Sequence, residues 1–261
     1  MENKKYRNRI ITLSGEPVSG KGTTVKSLIK ILKEQGYSDE QIHLMTTGDE
    51  FRKYFNSIVD LIMNLDNLEE LKEISSREEL SAFFENKEYR KSLTKTILKL
   101  KEDKVDLSRF TIEQANNSQE FKEIRRIVDS LLDDGMKNMG EKINSERHPD
   151  DVWIIDSRLA FFNIPESFSV RLTTNSDIAA QRLFNDKSRG KEDSKYKTIA
   201  EAKTEREERK KGERERYLKR YGVDLENPNN YDLIIDTSNL TPEETAKQIL
   251  DREREEKEES R

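Results

Sequence analysis

The sequence contains no cysteine, and it lacks any long apolar run. The absence of cysteine excludes disulfide bonds and thiolate metal sites, and it fits a reducing compartment. No stretch approaches the roughly 20 consecutive apolar residues that a membrane-spanning helix needs. The apolar segment that follows the basic N-terminus is far too short to form the core of a secretory signal. We therefore expect a cytoplasmic protein that has no membrane partner.

Apolar residues are also scarce, at 32% of the chain, whereas charged residues reach 39%. An average globular domain has about 25% charged residues, so this composition favours long solvated helices around a modest core. The charges nearly balance, because 48 Lys and Arg stand against 53 Asp and Glu and leave a net charge of −5. A general nucleic-acid binder usually presents a basic surface. No nucleic-acid partner is expected.

Histidine is scarce too, with two residues in the whole chain. His43 lies within an apolar run that is typical of a strand, and His148 precedes Pro149 in a polar loop. Two histidines this far apart in sequence, without cysteine, give no basis for a zinc site. His43 is interpreted as structural, and Trp153 is interpreted as a core residue.

Five short apolar and β-branched runs, typical of buried strands, recur along the chain. They cover residues 9–14, 42–47, 152–157, 167–174 and 232–238. Helical patterns lie between them, and the first carries an apolar stripe from Thr24 to Gln35 that stops at Gly36. This alternation predicts a three-layer α/β/α fold, in which helices cover both faces of a mostly parallel five-stranded sheet.

Two segments depart from the alternation of strands and helices. Residues 55–105 are charged, helical in pattern and without a strand, which indicates a lobe beside the sheet, and a helical pattern resumes at Ser118–Ile143. Residues 187–220 are dense in Lys, Arg and Glu. Taken alone, such a run is typical of a solvated helix with i,i+4 ion pairs. We interpret residues 1–261 as a single domain that carries both segments.

A glycine-rich stretch connects the first strand to the first helix. Gly15, Gly20 and Lys21 satisfy the pattern G-x-x-x-x-G-K. Glycines let backbone N–H groups turn toward phosphate oxygens, while the helix N-terminus and the lysine supply positive charge. The pattern therefore predicts a P-loop that binds the phosphates of a nucleoside triphosphate, for which ATP is the candidate. Its residues are Gly15, Glu16, Pro17, Val18, Ser19, Gly20, Lys21, Gly22, Thr23 and Thr24.

The residue after the lysine is Gly22, where the general motif has Ser or Thr to contact magnesium. Hydroxyl groups come one and two residues later, at Thr23 and Thr24. We therefore expect Mg²⁺ to be held largely through water, with Thr23 on a phosphate oxygen. Asp156, at the end of the third predicted strand, is the candidate carboxylate for this water-mediated metal site.

The sequence pattern G-x-P-x-x-G-K-G-T, which includes Pro17, resembles the loop of nucleoside monophosphate kinases. Val18 stands at a position that is often Gly in those kinases. Three further segments resemble the archaeal-type cytidylate kinases: TTGDEFRKY, VWIIDSRLAFF, and EERKKGERERYLKRYGVD followed by YDLIIDTSNLTPEETAKQIL. The likeness covers residues 8–54 and 105–250. It implies a P-loop kinase in which residues 55–105 are an insertion beside the monophosphate-binding region and residues 187–220 form a lid.

Phosphoryl transfer between two nucleotides brings two polyanions together, which calls for several arginines. Arg52 and Arg158 follow the ends of predicted strands, where open α/β sheets bind ligands. The resemblance implies acceptor-binding roles for Thr47, Gly48, Arg52, Arg158, Arg209, Glu213 and Arg216. Among these, it implies that Glu213 accepts a hydrogen bond from a cytosine amino group. It implies catalytic roles for Lys21, Arg158, Arg182, Arg209 and Arg216.

The first hypothesis is accordingly a kinase that uses ATP and Mg²⁺ to phosphorylate CMP or dCMP. Two alternatives stay open. One is a kinase for another nucleotide or small-molecule acceptor, because the insertion could remodel the acceptor site. The other is a nucleotide-binding regulatory protein without turnover. A GTPase is a minor option, since neither a D-x-x-G switch nor an N-K-x-D loop occurs in adequate context. The sequence does not determine the oligomeric state, although a monomer is favoured.

Overall fold

The computed structural model describes residues 8–63, 87–106, 110–111, 114–115, 118–146, 148–185 and 196–259. The chain divides into two compact units. We call Met1–Thr46 together with Lys137–Arg261 the sheet unit, and we call Thr47–Met136 the helical unit.

The sheet unit is built on five strands. They are β1 (Arg9–Gly15), β2 (Ile42–Thr46), β3 (Val152–Asp156), β4 (Phe168–Thr173) and β5 (Leu233–Asp236). The strands form one sheet in the order β2-β3-β1-β4-β5, and every neighbouring pair is parallel. The five predicted strands are confirmed, and so is the α/β class with helices on both sides of the sheet.

Eight α-helices are assigned within the described residues. They are α1 (Lys21–Glu34), α2 (Thr47–Met63), α3 (Lys87–Glu102), α4 (Lys122–Ser145), α5 (Ala160–Asn163), α6 (Ser176–Asn185), α7 (Ile199–Tyr221) and α8 (Pro242–Glu259). None of the helices in this part of the chain combines the length and the apolar character needed to cross a membrane.

The core of the sheet unit forms where β1 meets the flanking helices α1 and α8. Ile11 and Leu13 of β1 are fully buried, and they pack with Leu28 of α1 and Ile249 of α8. Burial of each such side chain contributes about 1.5–3 kcal/mol. Helix α1 starts at Lys21, three residues before the predicted start at Thr24. The first turn has no apolar residue, so the apolar pattern of the sequence does not reveal it.

The strand register brings the carboxyl ends of the central strands to one edge. Leu13 of β1 pairs with Asp156 of β3, and Thr46 of β2 pairs with the same aspartate. On the other side of β1, Gly15 pairs with Leu172 of β4. In open α/β sheets, ligands bind at this edge where the strand order reverses. The glycine-rich stretch leaves the sheet at this edge.

The helical unit has a core of its own. Phe55 and Ile58 of α2 and Ile97 of α3 are buried in one apolar cluster. The predicted insertion at residues 55–105 lies within this unit, and its residues 64–86 are outside the described part of the chain. Its status as an insertion stays a prediction.

From Ile199 onward, the described part of the predicted lid belongs to α7. The Thr198 side chain caps this helix by accepting from the Glu201 N–H at 3.2 Å, and Gly222 ends it with a φ of +69°. Residues 186–195 lie outside the described part of the chain. Whether this segment acts as a lid stays a prediction.

The pairing of β2 with β3 brings His43 beside Trp153. The two rings stack with centroids 4.1 Å apart, and the Nε2 atom of His43 lies 2.9 Å from Oδ2 of Asp151. Trp153 is only partly buried, so its interpretation as a core residue is wrong. One face of its ring is covered by the partly exposed His43.

Candidate functional site

The glycine-rich stretch forms a tight loop between β1 and α1. The Glu16 N–H donates to the Leu172 carbonyl at 3.1 Å, and the Ser19 N–H donates to the Glu16 carbonyl at 3.2 Å. Gly20 has a φ of +83°, a left-handed conformation that glycine adopts without a Cβ clash. A loop of this kind can present successive backbone N–H groups to an anion.

Val18, in the middle of the loop, also has a positive φ, at +66°. A β-branched side chain in this region is a true outlier, and the conformation costs about 1–2 kcal/mol. This is the position at which the kinases that the loop resembles often have glycine. Strain of this kind concentrates in loops that bind ligands.

Val18→Gly is expected to raise the free energy of unfolding by about 0.5–1 kcal/mol. Release of the left-handed strain outweighs the greater conformational entropy that glycine gives to the unfolded chain. Val18→Ala is the matched control, because alanine keeps a Cβ in the strained conformation. Urea unfolding followed by circular dichroism measures both variants. A glycine variant less stable than the alanine variant would contradict this account of the loop.

The N-terminus of α1 faces the loop. Its N-cap is Gly20, and no described side chain caps the first N–H groups. The Thr23 hydroxyl donates to the Gly20 carbonyl at 2.7 Å. Uncapped N–H groups and the positive end of the helix dipole together form an anion site. For the predicted contact with a phosphate oxygen, the Thr23 hydroxyl would have to turn away from Gly20.

Lys21 and Asp156 form an ion pair at the base of the loop. Nζ of the lysine lies 2.7 Å from Oδ1 of the aspartate, and both side chains are largely buried. The pair follows from the register, since Asp156 ends β3 next to β1 and Lys21 begins the helix after β1. A phosphate group that enters the loop would compete with Asp156 for the ammonium group.

A cavity of about 580 Å³ opens in front of the loop. Residues from distant segments line it together with the loop: Arg158, Arg182, Arg209, Thr237, Leu240, Pro242 and Thr245. Four cations singled out in the sequence, Lys21 and these three arginines, therefore surround one space. A concave site lined by charge of one sign concentrates ligands of the opposite sign.

Arg182 reaches the cavity from α6. Its Nη1 donates to the Thr174 hydroxyl at 3.0 Å, and its Nη2 donates to the Thr237 carbonyl at 2.6 Å. Hydrogen bonds from the Ser238 hydroxyl and backbone N–H lower the pKa of Asp236, and the charge of Arg182 adds to the effect. The guanidinium is thus held between the ends of β4 and β5 with its position fixed.

Arg158, Arg209 and Glu213 form a second group at the same cavity. Oε2 of Glu213 lies 3.0 Å from Nη1 of Arg158, and its Oε1 lies 3.2 Å from Nε of Arg209. Arg158 also donates to the Gly15 carbonyl. The structure therefore brings together three predicted acceptor residues from the end of β3 and from α7. Glu213, predicted to contact a nucleobase, here forms ion pairs with two arginines.

The remaining predicted acceptor residues lie on α7 and α2. Arg216 is exposed, with its guanidinium carbon 4.8 Å from the centre of the Tyr217 ring, and it is not among the residues that line the cavity. Thr47, Gly48 and Arg52 belong to the helical unit, where they occupy the first two turns of α2. A Cβ on Gly48 would lie 3.8 Å from Nη1 of Arg52, so this arginine folds over the glycine. Their roles stay predictions.

The residues at the cavity are suited to a magnesium ion that arrives with a nucleotide. Within the described residues, no group of three or more His, Asp or Glu side chains could hold a metal ion. Gly22 offers no side-chain oxygen, and Asp156 is already paired with Lys21. Magnesium at this site would take its ligands from phosphate oxygens, water and at most the Asp156 carboxylate.

Comparison with known protein families gives a match over most of the chain. The model of the cytidylate kinase-like family matches residues 72–239, more than half of the sequence. The chain belongs to the cytidylate kinase-like family. Kinases of this family generally use ATP and Mg²⁺. The matched region includes the three cavity arginines, whereas the P-loop precedes it.

Two curated proteins resemble parts of this cytidylate kinase-like chain. A cytidylate kinase from Methanosphaera stadtmanae is 28% identical over 127 residues, which cover 49% of this chain and 65% of that protein. An S-adenosylmethionine-dependent nucleotide dehydratase from Lacinutrix mariniflava is 34% identical over 111 residues, 42% of this chain and 22% of that protein. The chain thus spans less than two thirds of the length of either relative.

Among solved structures, the crystal structure of an uncharacterized protein from Eubacterium ventriosum resembles this chain. The alignment covers 95% of this chain and 98% of that one, at 11% identity and a TM-score of 0.48.

Some residues of this cytidylate kinase-like site were missed by the sequence interpretation. Arg171, Arg206 and Lys210 surround the side chain of Glu16 in the loop. Arg171 gave a signal, because a charged residue in the middle of a buried strand needs a partner. Arg206 and Lys210 gave none, since they stand in a run of similar charged residues.

Proposed function

We propose that this protein transfers the γ-phosphoryl group of ATP to a nucleoside monophosphate, with CMP or dCMP as the acceptor. The observation that supports this most directly is the cavity in which Lys21, Arg158, Arg182 and Arg209 surround the uncapped N-terminus of α1. Two polyanions can meet only where several cations offset their repulsion, and arginine is suited to phosphate because its planar fork binds two oxygens.

ATP is assigned to the loop side of the cavity. Backbone N–H groups of the loop and Lys21 bind the β- and γ-phosphates, and Arg182 binds the same phosphates from α6. Leu240 and Pro242 line the cavity as well, and they offer apolar surface to the base of the nucleotide. Because ATP is the donor, the cytoplasm is the compartment that we propose.

The acceptor phosphate is assigned to Arg158 and Arg209. It would displace Glu213 from these arginines and leave its carboxylate to accept a hydrogen bond from the amino group of cytosine. Thr47, Gly48 and Arg52, at the start of α2, keep the acceptor-binding roles that the sequence resemblance implies.

The reaction is a direct in-line transfer. An oxygen of the acceptor phosphate forms a bond to the γ-phosphorus of ATP, while the bond from that phosphorus to the β–γ bridging oxygen breaks. ADP and a nucleoside diphosphate result, without a covalent protein intermediate, so that the chain contributes positioning and charge neutralisation. Arg209 of α7 offsets the charge on the transferred group, and Arg216 would have to turn from Tyr217 into the cavity to do the same. Bound magnesium supplies further neutralisation of the phosphate oxygens.

A kinase with a different acceptor is the second candidate. The likeness to a protein named as a nucleotide dehydratase favours this candidate. The names of the two relatives have a nucleotide substrate in common, and a shared nucleotide substrate does not require cytosine. The choice of cytosine rests on Glu213, whose carboxylate is occupied by two arginines in the structure. A regulatory nucleotide-binding protein without turnover is the third candidate.

An acceptor panel tests these candidates. Purified protein with ATP and magnesium is offered CMP, dCMP, UMP, AMP and phosphorylatable metabolites, and ADP release is measured together with the mass of each product. We expect kcat/KM for CMP or dCMP to exceed that for UMP by about 100-fold or more, because a site with a hydrogen-bonding carboxylate rejects a base that lacks the amino group.

Each other result points to a different candidate. Turnover with some other acceptor would support the second candidate. ATP binding that survives Arg158→Ala, without turnover on any acceptor, would favour the third. A further sample containing S-adenosylmethionine tests the dehydratase likeness, since dehydration yields a nucleotide that is lighter by one water.

A further inference from the structure

Glu16, the first residue of the loop after Gly15, is almost completely buried among cations. Its Oε2 lies 2.6 Å from Nη2 of Arg206, and its Oε1 lies 2.9 Å from Nζ of Lys210 and 3.6 Å from Nη2 of Arg171. A carboxylate that has lost its hydration needs such partners. Two of the three cations belong to α7, so Glu16 connects the phosphate loop to this helix.

Arg206 is the most buried of these cations, with 1% of its side chain exposed. Its Nε donates to the Pro17 carbonyl at 3.2 Å, its Nη1 donates to Glu207 at 2.8 Å, and its Nη2 also reaches the Thr174 carbonyl at 3.4 Å. One planar guanidinium thus binds the backbone and the side chain of the loop and the end of β4. Lysine, as a single point charge, cannot replace this set of bonds.

Arg206 and Arg209 lie on the same face of α7, because residues three apart on a helix are neighbours. Arg209 lines the phosphate cavity, whereas Arg206 is buried beneath the loop. Lys210, one turn after Arg206, pairs with Glu226 at 2.9 Å as well as with Glu16. Burial lowers the pKa of Lys210, but hydrogen bonds to Glu226 and Glu16 outweigh it, and the net pKa is raised.

We propose that Arg206, through Glu16 and Pro17, is a positioning residue that holds α7 against the phosphate loop and thereby sets where Arg209 lies over the transferred phosphoryl group. The proposal rests on the proposed function, since it gives Arg209 a place in phosphoryl transfer. Arg206 itself has no contact with the cavity, because its guanidinium is enclosed by the protein groups named above. Its effect on the reaction is therefore expected to pass through Arg209.

A double-mutant cycle tests the proposal. The proteins are wild type, Arg206→Lys, Arg209→Ala and the double variant, all as the full chain. With Arg209 present, Arg206→Lys is expected to lower kcat about 10-fold and to raise KM for ATP several-fold, because a misplaced arginine loses interactions with the γ-phosphoryl group in bound ATP and, more strongly, in the transition state. In the Arg209→Ala background, the same substitution should lower kcat less than about 2-fold, because the residue through which it acts is gone.

Equal fold losses in the two backgrounds would overturn the proposal, because a purely structural effect multiplies with the loss of Arg209. Arg214→Lys is the matched control, since Arg214 lies on the exposed side of α7 and pairs with Asp224 and Glu226. It should leave kcat unchanged. If Arg206→Lys fails to fold, Glu16→Gln replaces it in the cycle, because the amide keeps the shape of Glu16 but not its charge.

The same four proteins are also titrated with ATP alone by calorimetry. We expect Arg206→Lys to raise the Kd for ATP several-fold in the presence of Arg209 and to leave it unchanged in the Arg209→Ala background. This measurement needs no acceptor, so the proposal is decided even if no acceptor is phosphorylated and the proposed function fails. A Kd that changes by the same factor in both backgrounds would overturn it.

Discussion

Lys21→Met is expected to lower kcat/KM for phosphoryl transfer from ATP to CMP by about 10³-fold, which corresponds to about 4 kcal/mol of transition-state stabilisation. The lysine begins α1 directly behind the loop, and its ammonium group is the one full charge that the motif itself supplies. Methionine matches the length of the side chain but not its charge. Initial rates with saturating magnesium measure the change, and thermal unfolding confirms that the variant is folded.

The ion pair with Asp156 calls for a second variant, because Lys21→Met also leaves that carboxylate without the ammonium group 2.7 Å away. If the lysine served only to neutralise Asp156, the double variant Lys21→Met/Asp156→Asn would recover wild-type rates. We expect it to remain as impaired as Lys21→Met, because the missing charge belongs to the phosphates. Lys33→Met, at an exposed position of the same helix, is the matched control and should leave the rate unchanged.

The architecture of the sheet unit was predictable because its signals are local. Each strand is a short apolar run, and the G-x-x-x-x-G-K pattern with Lys21 gives the position of the turn between β1 and α1. Parallel strands then force the residues that follow them, such as Asp156 and Arg158, to one edge of the sheet. That reasoning needs no knowledge of side-chain contacts, and Asp156 and Arg158 lie at the edge where it places them.

The partners of the charged side chains could not be predicted, because they depend on packing between distant segments. Glu213 joins Arg158 to Arg209, although helical spacing alone gave it only a place on one face of α7. Arg206 has no feature in the sequence that separates it from the exposed Arg209, yet it is buried beneath the loop. Burial of one charge within a charged run is decided by the tertiary structure.

Gly15→Ala is expected to abolish ATP binding and to lower the free energy of unfolding by about 1–3 kcal/mol, the usual range for an overpacked site. A Cβ at this position would lie 2.6 Å from the Ser19 hydroxyl and 2.9 Å from the Leu172 carbonyl. The hydroxyl can rotate away, but the carbonyl cannot move, because it belongs to β4 and accepts the Glu16 N–H at 3.1 Å. The loop must therefore shift, and its N–H groups turn away from the phosphates.

Gly22→Ala is the control that separates this steric effect from a general intolerance of substitution in the loop. Nothing lies within 4 Å of a Cβ at Gly22, the second residue of α1, and alanine favours a helix over glycine by up to about 1 kcal/mol. We expect its stability to equal or exceed that of wild type, and its Kd for ATP to stay within a few-fold. Urea unfolding and ATP calorimetry on both variants decide the matter. Equal losses in the two variants would show that the close approach at Gly15 is not what shapes the loop.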